Sequence, residues 1–379
     1  MIDTTNNLMY RLELLNKQNS LVNYQMSTGK EIQNGSENSL LYNEILNIEN
    51  EISTYEAIEI EINKTQLFNN SSDKALSEIK TQMDAINSEV LKALNAGVDQ
   101  SSKTAISKNV ENMKENIYNL VNQEANGEYL FSGESTSSKP FESDINGNVT
   151  YEGSNDYKNT IVEKNIYKEQ GVTGIDVAYY TNESAKTSEI LSFSPGELVV
   201  DDEGNKWKFI DNNGDGNIDT NMLYKNGDIS STSMAVIDLG TTPTVYNVVN
   251  TQSSTLETKH SYFEDLDEII NALDSKDKNG NPISEENASA ILSTSLEKMD
   301  KAYDSVNTAH AELGSKNATF ENASLSISAK VTNYQIYYEE TASADLTEAA
   351  IKAQSLELTY SALYSTISKV NSLSLVNFL

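Results

Sequence analysis

The sequence predicts a mainly α fold, α+β overall: a long antiparallel coiled-coil or helical-bundle rod formed by both chain ends, with an inserted β-rich outer domain. Three observations lead there. Leu346, Ala349, Ala353, Leu356, Tyr360, Leu363, Ile367 and Val370 recur at alternating three- and four-residue steps, the seam of a helix that packs along another helix. Leu8, Leu12, Leu15, Val22 and Met26 keep the same heptad register at the other end, with Asn19 as a polar interruption. Between the helical ends the texture changes: all four prolines, the only tryptophan, Trp207, and 13 of the 17 glycines fall within residues 127–282.

Taken in order, the N-terminal helix should stop at Ser27-Thr28-Gly29-Lys30, with Gly29 ending it. Beyond Asn34-Gly35, Leu41, Ile45, Ile48, Ile52, Tyr55 and Ile62 restart the seam. Leu76, Ile79, Met83, Ile86 and Val90 continue it, and Ile106, Val110, Met113, Ile117 and Leu120 form a further segment. This spacing predicts three helices between about residues 40 and 125, broken near Asn69-Asn70 and near Gly97. Short apolar and aromatic runs at 149–151, 177–180, 206–210 and 245–249, set between Asn-Gly, Asp-Gly and Ser-rich turns, predict strands. Helical periodicity returns weakly near Leu256 and strongly from Leu292, through Leu296, Met299, Tyr303, Val306, His310, Leu313 and Phe320. The resulting division is 1–40 with 341–379 as a terminal coiled-coil domain, 41–135 with 289–340 as a helical-bundle rod domain, and 136–288 as the inserted β-rich outer domain.

Neither end looks self-sufficient. At about 1.5 Å per residue the C-terminal helix would run about 50 Å, and its last residues, Leu373, Leu375, Val376, Phe378 and Leu379, have no polar cap. An apolar stripe of that kind calls for a partner, in the chain or in a neighbouring copy.

Composition narrows the function. The 379 residues carry 27 basic against 57 acidic side chains, a net charge of -30, which repels nucleic acid and anionic lipid and excludes both as partners. Residues 1–30 hold Arg11, Lys17 and Lys30 against Asp3 and Glu13, a net of +1, and residues 341–379 hold Lys352 and Lys369 against Asp345, Glu348 and Glu357, a net of -1. Near-neutral, apolar ends on an acidic body suit termini that associate while the bodies stay soluble. The 37 % apolar content and mean hydropathy of -0.50 describe a thin, water-exposed molecule. No run of about 18 apolar residues could span a membrane. The N-terminus also lacks the basic flank and apolar centre of a cleavable signal peptide, so the chain is either cytoplasmic or exported by a route that reads no such signal. Cysteine is absent, which removes disulfides, thiolate metal sites and thiol nucleophiles together.

Little chemistry is left. His310 stands on the seam between Val306 and Leu313 and reads as a packed or hydrogen-bonded core histidine, while His260 lies in a polar run and should face solvent. No His-Glu-x-x-His, Gly-x-Ser-x-Gly or phosphate loop occurs, so no enzyme is expected. The stretch Asp211, Asn213, Asp215, Asn217 and Asp219, with Gly216 at the sixth place, has the oxygen spacing of an EF-hand-like calcium loop, but Met222 stands where the bidentate Glu belongs. Its flanks read as strands, so an Asn/Asp/Gly hairpin turn is the competing reading. No cofactor is required, and a calcium ion stiffening the outer domain is the one metal the sequence offers. The tyrosines (20, against 8 phenylalanines) form an amphipathic contact set, of which Tyr334, Tyr337, Tyr338, Tyr360 and Tyr364 suit internal or intermolecular packing alike.

Several of these residues carry a resemblance. Gln25-Met26-Ser27-Thr28-Gly29-Lys30 resembles the opening of flagellins and hook-associated proteins, where a heptad helix runs into a Ser-Thr-Gly turn. Asn126-Gly127-Glu128-Tyr129-Leu130-Phe131-Ser132-Gly133, then Pro140-Phe141 and Tyr151-Glu152-Gly153-Ser154, is similar to the crossing into the outer domain of the third hook-associated protein, the flagellin-like subunit of the hook-filament junction. Ala311-Glu312-Leu313-Gly314-Ser315 and 346–378 resemble the matching C-terminal half. The likeness covers about 1–155 and 290–379, and departs from the usual pattern at Ser36-Glu37-Asn38, where the family commonly places a proline and paired aspartates.

The resemblance implies an innermost coiled coil made by both termini, a second helical layer, and residues 136–288 facing outward. It implies export, unfolded, through the flagellar type III apparatus to the extracellular flagellum. The implied partners are further copies in a homo-oligomeric ring, the neighbouring hook-associated junction protein, flagellin and a cytoplasmic export chaperone. The function expected is an adaptor ring joining hook to filament by burial of the terminal seams. The alternatives are a flagellin-type filament subunit and a secreted calcium-binding adhesin.

Overall fold

The computed structural model describes residues 2–95, 97–144, 147–211, 218–241 and 244–376. Its helices are α1 (Ile2–Thr28), α2 (Ser39–Leu94), α3 (Gln100–Val121), α4 (Gly174–Ala178), α5 (Tyr262–Leu273), α6 (Glu285–Ala342) and α7 (Leu346–Val376). The strands are β1 (Glu124–Ala125), β2 (Glu128–Tyr129), β3 (Phe141–Ser143), β4 (Val149–Tyr151), β5 (Asn159–Glu163), β6 (Ile166–Glu169), β7 (Tyr179–Ala185), β8 (Ile190–Phe193), β9 (Leu198–Asp201), β10 (Lys206–Ile210), β11 (Asp219–Lys225), β12 (Ser233–Asp238), β13 (Tyr246–Val249) and β14 (Leu256–Ser261). The fold is mainly α with an inserted antiparallel β domain. The chain forms two compact units, Met1–Ile60 with Ser324–Leu379, and Glu61–Ala323.

In the first unit α1 and α7 pack side by side and antiparallel. Gly29, at φ 72°, ends α1 as its sequence requires. Backbone bonds then tie the end of α1 to the start of α7: Glu31 N donates to Ala342 O at 2.7 Å and Ala344 N to Gly29 O at 2.8 Å. Asp345 caps α7, its Oδ1 accepting from Thr347 N (2.8 Å) and Glu348 N (3.1 Å). Residues 39–60 of α2 and 324–342 of α6 bury Ile48, Tyr55, Ile58, Ile327 and Val331, and Tyr55 stacks on Tyr334 with ring centres 5.6 Å apart.

The second unit has two cores. Leu76, Ile79, Met83, Ile86 and Val90 of α2 meet Val110 and Ile117 of α3, Leu266 and Ile269 of α5, and Leu292, Met299, Val306 and Leu313 of α6. Against them lie the aromatic residues of the crossing, Phe131, Phe141 and Tyr151, together with Tyr179 of β7 and Tyr262 and Phe263 of α5. The other core fills the concave side of one eight-stranded antiparallel sheet, ordered β7-β14-β9-β10-β11-β12-β13-β8, with Leu191, Phe193, Val199, Trp207, Leu223, Met234, Tyr246 and Leu256 inside. Its two edges, β7 and β8, approach each other, and Ser192 N donates to Glu183 Oε2 across that gap at 3.3 Å.

Three sequence expectations need correction. No break occurs at Asn69-Asn70, because Asn69 is buried and its Oδ1 accepts from Gly171 N at 2.9 Å. That oxygen is taken by another segment and does not compete for its own helix backbone. The break near Gly97 is present, and Asp99 caps α3 through Ser102 N at 2.7 Å. Residues 177–178 close the short helix α4, and the strand starts only at Tyr179. Residues 256–261 are strand β14, wedged between β7 and β9, where cross-strand pairing overrides a weak helical period.

Candidate assembly surface

The terminal helix pair carries the proposed seam. Val22, Ala349 and Leu356 are buried, while Leu8, Leu12, Leu15, Ala353, Tyr360, Leu363 and Ile367 are half-buried. Steps of three and four residues put these side chains on one stripe of each helix, so the seam closes on one side only. The Tyr360 hydroxyl crosses it to donate to Asn16 Oδ1 at 2.7 Å. Two members stand off the stripe: Met26 is 48 % exposed and Leu346 54 %. The last turn of α1 presents Gln25, which is buried and donates to Glu31 O at 2.9 Å, so the register shortens by one residue where the helix stops. The side chain of Val370, and residues 377–379, lie outside the described residues.

A second apolar set, which the heptad reading missed, lies on the outside of the pair. Met9, Tyr10 and Leu14 of α1 and Ile351, Leu358 and Tyr364 of α7 are all exposed. Ile351 and Leu358 are seven residues apart, hence on one face; that spacing was visible in the sequence. Among the described residues, fifteen of the twenty-five exposed large apolar side chains fall in the first unit, which holds fewer than a third of the residues. Scattered exposed apolar groups are ordinary, but concentration on one unit marks an interaction surface.

The motifs of the crossing meet in space. Gly133, at φ 65°, sits where an added Cβ would lie 2.2 Å from Ser154 O and 2.7 Å from Asp156 O. The Tyr151 hydroxyl donates to Ser154 O at 2.6 Å, Ser154 N to Ser132 O at 3.0 Å, and Gly174 N to Phe131 O at 2.7 Å. An added Cβ at Gly153 or Gly174 would fall within 2.5 Å of the Tyr151 side chain. Tyr-Leu-Phe-Ser-Gly and Tyr-Glu-Gly-Ser are therefore one packed junction, whose glycines are fixed by close approach.

The other flagged residues do not join these surfaces. Asn213, Asp215 and Asn217 lie outside the described residues, whereas Asp211 and Asp219 stand at the base of the β10–β11 hairpin, with Ile210 paired to Asp219. Among the described residues no cluster of three or more His, Asp or Glu side chains could hold a metal ion. No described helix is long and apolar enough to cross a membrane. His310 is half-buried, with Nε2 2.9 Å from Asp73 Oδ1 and Nδ1 3.5 Å from Lys80 Nζ, so it links α2 to α6. His260 departs from its sequence reading: strand β14 turns it inward, its side chain is 17 % exposed, and it pairs with Asp265.

Residues 4–136 match the bacterial flagellin N-terminal helical region. This flagellin-type region takes in α1, α2, α3 and the first part of the crossing. No curated protein matches the chain. Among solved structures, the chain is similar to a putative flagellar hook-associated protein from Vibrio parahaemolyticus, with 13 % identity, 81 % of this chain and 100 % of that one covered, and a TM-score of 0.54. It is also similar to the flagellar hook associated protein-3 of Legionella pneumophila (15 % identity, 80 % and 98 % covered, TM-score 0.48). A third is FlgL of Xanthomonas campestris (16 % identity, 75 % and 97 % covered, TM-score 0.48). The Vibrio structure supports the fold, an architecture shared over 81 % of this chain and all of that one.

Proposed function

We propose that this protein is a structural subunit of the bacterial flagellum, an adaptor that forms a ring between the hook side and the filament side. The observation that carries the reading is the apolar surface left on the α1/α7 pair within a chain whose N-terminal third is flagellin-type. Covering an exposed Leu or Ile is worth about 1.5–3 kcal/mol, so neighbours that bury Met9, Leu14, Ile351 and Leu358 would supply the drive for assembly. The protomer stays soluble because its net charge of -30 is carried between residues 31 and 340.

In this reading 1–40 with 341–379 make the innermost layer, 41–135 with 289–340 the next, and 136–288 the outer domain. The partners are other copies of the chain, the neighbouring hook-associated protein and flagellin. An export chaperone holds the termini before passage through the flagellar export apparatus to the extracellular junction. The work is structural and not enzymatic. It needs no cofactor, and calcium between 211 and 219 would add only stiffness to one hairpin.

A filament subunit would share the fold. The Tyr-Leu-Phe-Ser-Gly junction, similar to that of the third hook-associated protein, favours the adaptor. Purified protein, concentrated alone and followed by light scattering and electron microscopy, is expected to give no long filaments. Unaided growth of filaments would transfer the assignment to the filament itself.

A further inference from the structure

His260 lies where four elements of the second unit meet. Its Nε2 is 3.0 Å from Asp265 Oδ1 on α5, and its Nδ1 is 3.8 Å from Glu197 Oε1 in the turn between β8 and β9. Asp265 is fully buried, and its carboxylate also accepts from the Tyr180 hydroxyl of β7 at 2.9 Å and from Lys298 Nζ of α6 at 3.1 Å. Glu197 is fixed within its own turn, accepting from Ser194 N at 2.7 Å, and is also bonded by Asn182 of β7 at 2.9 Å. That turn presses on α5: Gly196, at φ 100°, leaves space for an added Cβ only 3.3 Å from Glu264 Oε1.

The remaining charges are accounted for. Glu264 and Glu268 of α5, Glu297, Lys298 and Lys301 of α6, and Lys278 line a cleft of about 410 Å³ beside the imidazole. Lys298 also pairs with Glu268 at 2.8 Å, and Lys259, next to His260 on β14, pairs with Glu257 at 2.7 Å. His260 therefore faces two carboxylates through its two nitrogens, with a third carboxylate, Glu264, alongside.

A neutral imidazole has one N–H, and a protonated one has two. We propose that His260 is a proton-operated clasp on the outer domain: protonated, it ties the β8–β9 turn to α5 by a hydrogen bond to Asp265 and an ion pair, across 3.8 Å, with Glu197. Neutral, it keeps its closer partner, Asp265, and presents a lone pair to Glu197, so this tie is lost while the bond from Asn182 remains.

The electrostatics act in the same direction. Burial pushes the imidazole pKa down, but the hydrogen bond and charge of Asp265, helped by Glu264, outweigh burial and leave it above the ordinary histidine value of 6.5. Burial raises the carboxyl of Glu264 as well. A group that holds its proton more tightly when folded adds stability below its unfolded pKa and loses it as pH rises through the folded one. The clasp is thus fastened below the ordinary histidine value and opens as pH rises through the folded value, which lies above it.

The chain has two histidines, so imidazole NMR on the full-length protein resolves both, and His310→Gln identifies the resonance of His260. The expected result is a His260 midpoint above the ordinary value, which Glu197→Gln lowers. The thermal midpoint of the native protein should fall as pH rises through the His260 midpoint that NMR reports, and His260→Gln should flatten that fall. If His260→Gln does not fold, the NMR midpoints of the native chain and of Glu197→Gln decide alone. A native midpoint at or below the ordinary value, or one that Glu197→Gln leaves in place, overturns the proposal.

Discussion

Leu356→Asp is expected to yield protein that is made and exported but not retained at the junction. Leu356 is 8 % exposed on the α1/α7 seam, so the substitution removes a packed side chain and leaves a carboxylate in its place. Deleting such a side chain costs about 2–5 kcal/mol, and the desolvated charge adds to that. A two-helix pair has little burial in reserve against such a loss, since ordering costs roughly 1–2 kcal/mol per residue. The informative companion is Leu358→Asp, two residues along α7 and 73 % exposed. Its protomer should unfold like the native one, because an exposed substitution is worth within about 0.5 kcal/mol. It should still fail to assemble, because that face is the one neighbours cover. Motility and the quantity of each variant shed into the medium report both outcomes. Normal motility of Leu356→Asp would refute the seam, and normal assembly of Leu358→Asp would refute the outer face.

Gly133→Ala should produce the largest loss of stability of any single methyl addition in the crossing. The backbone at φ 65° costs a non-glycine residue about 1–3 kcal/mol. The added Cβ would also sit 2.2 Å from Ser154 O, a carbonyl already held by Tyr151. Gly127 is the control: its φ is 81°, but nothing lies within 4 Å of an added Cβ, so Gly127→Ala should cost only the conformational part. Urea unfolding of the two variants should therefore give a clearly lower midpoint for Gly133→Ala than for Gly127→Ala. Equal midpoints would mean that the close approach does not constrain the junction.

Much of the helical architecture was legible because the heptads of the seam and of the helical core are strong and local. Gly29 stops α1, Leu76 to Val90 form one buried face, and residues 149–151 and 206–210 are strands with the bounds their spacing indicates. What was missed depended on partners distant in sequence. Asn69 reads as a breaker until Gly171 is seen to occupy its side chain, and His260 reads as exposed until Asp265 and Glu197 are brought to it. Likewise β14 looks weakly helical until β7 and β9 take its backbone bonds. The assembly surface was half legible: the inner stripe follows from heptad spacing. The outer set was legible only in the seven-residue step from Ile351 to Leu358, whereas the exposure of Tyr10 and Leu14 shows once the seam has claimed the other face of α1.

The central claim is that α1 and α7 complete each other only on one side and are finished by adjoining molecules. Hydrogen exchange read by mass spectrometry, on the dilute protomer and on the same protein within isolated hook-filament junctions, tests it directly. Rapid exchange is expected along both terminal helices in the protomer, beside slow exchange at 76–90 of α2, and strong protection of α1 and α7 after assembly. Terminal helices as protected in the dilute protomer as the helical core, and unchanged on assembly, would contradict it.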